Sequence, residues 1–145
     1  MNQSSNFLKS VVDIIVTKQE KQSQNNQEVH MFVSHVDVIE KKKMEHPDLK
    51  NNTKQVLIGE QEGWIDHVMR LFTMGADGHT PKHTHPWPHI IYVVEGRGIL
   101  SLQGKSHELQ AGSVAYVPSD EEHQFSNPHA QEFIFMCIVP KVGEM

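Results

Sequence analysis

The sequence predicts an all-β protein, a single barrel or sandwich preceded by an N-terminal extension. From Val29 onward, short apolar runs alternate with Gly, Pro and Asn, and each run is too short for a core helix. The turn signals recur about every 8–12 residues, which is typical of sandwiches and barrels rather than of βαβ sheets. The 145 residues have the size of one ordinary domain.

The strands are predicted from runs rich in Val, Ile, Leu and aromatic residues that end at turn residues. Gln103-Gly104 separates two such runs and indicates a tight hairpin, whereas the lysines at 41–43 indicate a solvated turn. The predicted strands are Met31–Ile39, Gln55–Ile58, Ile65–Thr73, His83–His85, His89–Glu95, Gly98–Gln103, Lys105–Leu109, Ser113–Val117, Glu122–Phe125 and Glu132–Val139.

Residues 1–28 differ in composition from the rest of the chain, since 13 of them are Asn, Gln or Ser. The stretch from Lys18 to Glu28 contains no apolar residue, so we expect a flexible linker there. Apolar residues between Phe7 and Ile15 recur at helical spacing and predict a short amphipathic segment that docks on the domain, joins a partner chain or stays disordered. We therefore assign residues 1–28 to a polar, flexible extension and residues 29–145 to the folded domain.

Charge and cysteine content exclude several classes of function. The net charge is −5 and no basic stripe is present, which argues against a nucleic-acid partner. No apolar run approaches the roughly 20 residues of a membrane-spanning helix, and no secretory signal is recognisable. The single cysteine, Cys137, excludes an internal disulfide and fits a reducing compartment. We therefore expect a cytoplasmic protein that acts on a small molecule.

Four of the 11 histidines form a pattern. His83 and His85 are two residues apart, so both rings point to the same face if this segment is a strand. A Pro-Trp-Pro corner follows, and His89 then opens the next strand and joins the pair if the chain folds back into the same wall. His123 begins a strand far downstream. Three neighbouring imidazoles and one remote imidazole indicate a metal centre inside a barrel, the alternative being a histidine-rich loop without metal.

Two motifs around these histidines resemble those of the cupin superfamily. The first is Gly78-x4-His83-x-His85-x3-His89-x6-Gly96, and the second is Gly112-x5-Pro118-x4-His123-x3-Asn127. The run His-Thr-His-Pro-Trp-Pro-His is similar to that of small single-domain cupins with an all-histidine, manganese-binding site. The resemblance implies a cupin jelly-roll β-barrel in which His83, His85, His89 and His123 bind a divalent ion, most typically Mn²⁺, with Fe²⁺, Ni²⁺, Cu²⁺ and Zn²⁺ as alternatives.

The chain departs from the usual cupin pattern at His89, where most cupins carry Glu. A neutral ligand leaves the full charge of a divalent ion in the barrel, which attracts anions and acidifies bound water. Asp120 replaces a glycine of the second motif, so this turn must be built differently, and Asp is the residue that best tolerates a left-handed turn after Asn and Gly. The inward faces of the predicted strands give an apolar substrate pocket, formed by Ile91, Phe125, Phe135 and Cys137.

Four protein ligands on an ion that prefers six leave two open positions, as in catalytic sites. The favoured hypothesis is a metal-dependent oxidoreductase, a dioxygenase-like enzyme that activates O₂ or peroxide on a small organic substrate. The alternatives are a non-redox isomerase or lyase that uses the ion as a Lewis acid, and a non-catalytic ligand-binding module. The sequence assigns no catalytic residue beyond the ligands. We also expect a homodimer, with Met31–Ile39 pairing across the interface.

Overall fold

The computed structural model describes residues 31–144, which fall into two units divided after Ile39. Residues 31–39 contain one 3₁₀ turn, Val36–Val38, and no strand, so the predicted strand Met31–Ile39 is wrong. The His35 ring accepts a hydrogen bond from the Asp37 backbone N–H, and such local bonds compete with strand pairing. The extension assigned to residues 1–28, with its apolar segment, lies outside the described residues.

Residues 40–144 form a nearly closed antiparallel β-barrel, which confirms the predicted all-β class. Two 3₁₀ turns, Glu60–Glu62 and Lys141–Gly143, complete this unit. In the part of the chain that the structure describes, no helix is long and apolar enough to cross a bilayer. The strands are β1 (Lys42–Lys43), β2 (Lys50–Ile58), β3 (His67–His79), β4 (His89–Glu95), β5 (Arg97–Leu102), β6 (Lys105–Gln110), β7 (Val114–Val117), β8 (His123–Ser126) and β9 (Phe133–Pro140).

The long strand β3 joins the two walls of the barrel. The strands are hydrogen-bonded in the order β6-β5-β8-β3-β9-β4-β7, and β2 with β1 adds to the other edge of β3. Met74 and the residues before it pair with β9, whereas His79 at the end of β3 pairs with Ser126 of β8. Between these regions Asp77 has a positive φ of 54°, which turns the strand. This turn brings β8, the strand that carries His123, against the first histidine segment.

The core lies on the inner face of β9, where alternate residues are buried as the sequence predicts. Phe135 is paired in register with Phe72 of β3 on one side and Val93 of β4 on the other. Its ring also stacks on Phe72 and Phe125, at centroid distances of 5.3 and 4.7 Å. Burying each such side chain contributes roughly 1.5–3 kcal/mol, so this row holds the two walls together.

The predicted hairpin turn at Gln103-Gly104 is confirmed, whereas the strand segments made of polar residues were not predicted. Gln103 and Gly104 have φ values of 52° and 72°, as a two-residue hairpin turn between twisted strands requires. The predicted lysine turn instead contains the short strand β1, which pairs with β2 although its side chains are exposed. A ladder needs only backbone groups, so exposed polar residues can extend a sheet without any apolar signal.

The outer faces of β4 and β7 form an apolar patch that we expect a second copy of the chain to cover. Its residues, Ile90, Tyr92, Val94, Val114 and Tyr116, are 44–75% exposed, and contiguous exposed apolar side chains mark interaction surfaces. We expect a homodimer by light scattering, and a monomer for Tyr92→Lys because a charge is costly to bury there. A charge reversal on β6, Glu108→Lys, serves as the control. A monomeric wild type would contradict this prediction.

Candidate metal centre

The four histidines that the sequence singles out line one cavity of the barrel. The ligand nitrogens of His83, His85 and His123 all lie within 4.8 Å of one another. Small ring rotations would bring them to the metal–nitrogen distances of about 2.0–2.1 Å that imidazole ligands make. These three residues therefore form a cluster that can hold one divalent ion.

Backbone pairing, rather than a strand, brings His83 next to His123. The two residues exchange hydrogen bonds, His83 N–H to the His123 carbonyl at 3.2 Å and the reverse at 3.0 Å. This is an isolated bridge, so the predicted strand His83–His85 is wrong, because Pro86 cannot donate to a ladder. The Asp120 N–H also donates to the His85 carbonyl at 2.8 Å, and Asp120 has a left-handed φ of 64°.

His89 lies directly beside this cluster. It is the first residue of β4, and its Nε2 lies 2.7 Å from Nε2 of His85. Two imidazole nitrogens at this distance must share a proton or a cation, because two bare lone pairs repel each other. On its other side, Nδ1 of His89 lies 3.0 Å from Sγ of Cys137.

The environment favours the neutral form of His83, His85 and His89. Burial, and then the neighbouring His123, lower the pKa of His83 to about 4 and that of His89 to about 2. The same two causes lower the pKa of His85. His123 is buried, and its Nδ1 lies 2.8 Å from the Glu121 carbonyl oxygen, which can only accept a hydrogen bond. The His123 proton is therefore on Nδ1, and Nε2 keeps its lone pair for a cation.

The cavity has a volume of about 450 Å³, enough for a small organic molecule. Of the predicted pocket residues, Phe125, Phe135 and Cys137 line it, whereas Ile91 is buried in the core and is not part of the lining. Within residues 40–144, the cavity lining includes no Asp, Glu or Tyr. Its other lining residues are Met44, His46, Leu49, Arg70, Phe72, Thr80, Pro81, Thr84, Trp87 and Gly143.

Arg70 is a cavity residue that sequence reasoning missed. It is 6% exposed, and its Nη1 donates to the Gly143 carbonyl at 2.9 Å and to the Glu144 carboxylate at 3.3 Å. Glu144 also pairs with Lys54 at 2.6 Å, so two cations share one carboxylate. The alternation along β3 would have placed Arg70 on the inner face between Val68 and Phe72.

Trp87 forms one wall beside the histidine cluster. Its indole stacks on the His85 ring at a centroid distance of 4.4 Å and an interplanar angle of 7°. Gly143 lies against the other part of the indole, because a Cβ at this position would approach the indole nitrogen at 2.8 Å. The C-terminal 3₁₀ turn therefore packs close to the residues that hold His85 in place.

The profile of the cupin domain family matches residues 70–139, which contain the whole histidine cluster. A cupin-2 domain from Rhodospirillum rubrum has the same fold, with a TM-score of 0.65 and 20% identity over 81% of this chain and 79% of that chain. The chain belongs to the cupin superfamily. The predicted superfamily is confirmed, whereas the four-histidine manganese subgroup stays a prediction.

Two further proteins that are similar to this chain have names that bear on chemistry. The polyketide cyclase RemF from Streptomyces resistomycificus is 31% identical, with a TM-score of 0.72, over 76% of this chain and 79% of that chain. Dimethylsulfoniopropionate lyase DddW from Ruegeria pomeroyi is 34% identical over 70 residues, which are 48% of this chain and 46% of the lyase. The matched segment of this cupin thus spans about half the length of that lyase.

We expect the metal-free cupin to lose stability as the pH falls from about 6.5 towards 4. In the unfolded chain the cluster histidines take up protons near pH 6.5, whereas in the folded chain His83 does so only near pH 4 and His89 near pH 2. The unfolded state therefore binds more protons in this window, and lowering the pH favours unfolding. Urea midpoints measured in the presence of a chelator would follow this change. The slope of stability against pH gives the number of protons taken up on unfolding, and this number should be smaller by about one in His89→Gln. A midpoint independent of pH would contradict the prediction.

Proposed function

We propose that this cupin is a metal-dependent enzyme that catalyses a non-oxidative reaction on a small, anionic, oxygen-containing molecule. In this proposal one divalent ion is held by His83, His85, His89 and His123. The observation that carries the proposal is the convergence of neutral imidazoles in an apolar cavity whose lining, among the described residues, contains no carboxylate. The charge of a bound cation would then be left for the substrate to neutralise.

The donor set fits a divalent ion. Lowered pKa values favour the neutral form of His83, His85 and His89, and the His85 and His89 nitrogens face each other at 2.7 Å, as neighbouring ligands of one ion do. Imidazole ligands suit Zn²⁺, Cu²⁺, Fe²⁺ and Ni²⁺. The sequence resemblance favours Mn²⁺, which remains our proposal for the ion held in the cell. When bound among neutral ligands, the ion supplies Lewis acidity towards oxygen atoms of the substrate.

The cavity walls give the substrate its charge and shape requirements. Arg70 places a buried guanidinium at the cavity, and Lys54 shares its carboxylate partner Glu144, so an anionic group is favoured there. The rings of Phe72, Phe125 and Phe135 contribute apolar surface to the lining and exclude water there. These walls support a substrate with one anionic, oxygen-bearing end and an apolar body.

Proton transfer requires a group other than the metal ligands. The two tyrosines of the sequence, Tyr92 and Tyr116, are both exposed on the outer sheet face. His46 lines the cavity and is also exposed to solvent, and its ring is held by the Asp48 N–H, which donates to Nδ1 at 3.1 Å. We therefore propose that His46 moves a proton between the bound substrate and solvent.

The names of the relatives support non-oxidative chemistry. Neither a lyase nor a cyclase reaction requires net oxidation, and the proteins with these names are 34% and 31% identical in their matched regions. The oxidoreductase predicted from the sequence stays the second candidate, favoured by the apolar surroundings of a metal site that can be redox-active. The ligand-binding module is the third.

The test uses metal-free protein reloaded with either Zn²⁺ or Mn²⁺ and a β-keto acid as the probe substrate. We expect exchange of the acidic C–H for deuterium with both ions and at equal rates with and without O₂. His46→Gln should slow exchange by about 10²-fold while metal binding is unchanged. Turnover that requires O₂ and fails with Zn²⁺ would support the oxidoreductase, and binding without turnover would support the ligand-binding module.

A further inference from the structure

Cys137 occupies a position between a buried arginine and a histidine of the metal centre. Its side chain is 1% exposed, and Sγ lies 3.3 Å from Nη2 of Arg70 and 3.0 Å from Nδ1 of His89. The strand register explains this position. β9 lies between β3 and β4, with Cys137 paired with Arg70 on one side and with Ile91, two residues after His89, on the other.

A neutral imidazole carries one proton, so the nitrogen that binds a cation must leave that proton on the other nitrogen. For His123 the Glu121 carbonyl fixes this choice, because it can only accept. At His89 the corresponding neighbour is the thiol of Cys137, which can both donate and accept. The direction of this one hydrogen bond therefore decides which nitrogen of His89 carries the proton.

In the metal-free chain the contacts form a continuous series of donors. The Arg70 guanidinium has only donors, so it donates to Sγ, and Sγ–H then donates to Nδ1 of His89. The proton of His89 is then on Nε2, which donates to Nε2 of His85 at 2.7 Å. Each contact in this series then joins a donor to an acceptor, although Nδ1 of His85 is left without a hydrogen-bond partner. In this state Nε2 of His89 is blocked for a cation.

We propose that Cys137 is a positioning residue that lets His89 change from this blocked state to a ligand. On metal binding the thiol rotates and accepts from Nδ1, and the His89 proton moves from Nε2 to Nδ1 through solvent, so both groups stay neutral and no net proton is released. Arg70 keeps the sulfur in place throughout. This inference rests on the proposed metal centre, and it adds the residue that controls its fourth ligand.

The test combines zinc affinity with the histidine tautomers, read from long-range ¹H–¹⁵N correlations of the full-length protein. We expect His89 to carry its proton on Nε2 in the metal-free chain and on Nδ1 in the zinc-loaded chain. Cys137→Ala should weaken zinc binding about 10–100-fold, the usual effect of losing a partner that orients a ligand. Cys137→Ser should stay within about threefold of the wild type, because a hydroxyl also donates and accepts.

Val139→Ala is the matched control, because it removes a buried side chain from the same face of β9 and leaves the thiol intact. It should bind zinc like the wild type. An equal loss in Val139→Ala, an unchanged His89 tautomer, or a serine variant as weak as the alanine variant would overturn the inference. If Cys137→Ala binds zinc normally, only the inference fails, whereas a wild type that binds no zinc overturns the metal centre itself.

Discussion

His123→Ala is expected to abolish metal binding. His123 is 2% exposed, belongs to the cluster of mutually close nitrogens, and its Nε2 is left free by the Glu121 carbonyl. Removing this ligand should lower the affinity for Zn²⁺ or Mn²⁺ by more than about 100-fold, beyond the usual effect of losing an outer-shell partner. Elemental analysis of dialysed protein should give about one ion per chain for the wild type and almost none for the variant.

The loss of metal binding in His123→Ala should also be seen in the thermal stability of the protein. An ion present at about 1,000 times its dissociation constant stabilises the folded state by about 4.1 kcal/mol, so the wild type should melt at a higher temperature with metal and His123→Ala should not. His107→Ala is the matched control, since His107 is exposed on β6 and outside the cluster. A His123→Ala chain that still carries one ion per molecule would refute the proposed centre.

Gly96→Ala is expected to prevent stable folding. Gly96 has a φ of 76°, and a Cβ at this position would overlap the backbone carbonyl oxygen of Glu132, which a side-chain rotation cannot relieve. The turn after β4 and the start of β9 would both have to move. We expect a loss above about 4 kcal/mol, the size that single substitutions reach only through a specific structural conflict. Denaturant unfolding followed by circular dichroism would measure it.

Gly104→Ala separates the steric conflict from backbone strain. Gly104 has a similar φ of 72°, but nothing lies within 4 Å of the Cβ that alanine would add. Its cost should be the left-handed backbone alone, about 1–2 kcal/mol. If both variants lost the same stability, the close approach of Gly96 to Glu132 would have no energetic role.

The fold could be predicted where side chains carry the signal. The bounds predicted for β4, His89–Glu95, agree with the structure because β-branched residues alternate there between core and surface. The start of β2 at Lys50 was not predicted, because the residues there are polar. Asn52 is nevertheless buried, and its side-chain amide donates hydrogen bonds to the Lys50 and His79 carbonyls. The prediction of a strand at Met31–Ile39 was wrong for the opposite reason: the segment contains apolar residues, but they form no strand.

The candidate site could be predicted only in part. The motif spacing identified the histidines, but the strand predicted for His83 and His85 is absent, and an isolated bridge between His83 and His123 brings the two segments together instead. The contact of Arg70 with Cys137 depends on the register between β3 and β9, which are far apart in the sequence. No local sequence pattern encodes such a register, so the contacts of Cys137 with Arg70 and His89 could be found only from the structure.

The stacking of Trp87 on His85 gives the protein an intrinsic optical reporter. The chain has two tryptophans, and Trp64 stacks on His67 instead, outside the cavity lining. Indole fluorescence is sensitive to a charged or paramagnetic neighbour, so an ion bound by His85 would be expected to quench the emission of Trp87, which stacks on this ring. In a Trp64→Phe background, the remaining emission should follow loading of the centre in real time, without a dye or a substrate.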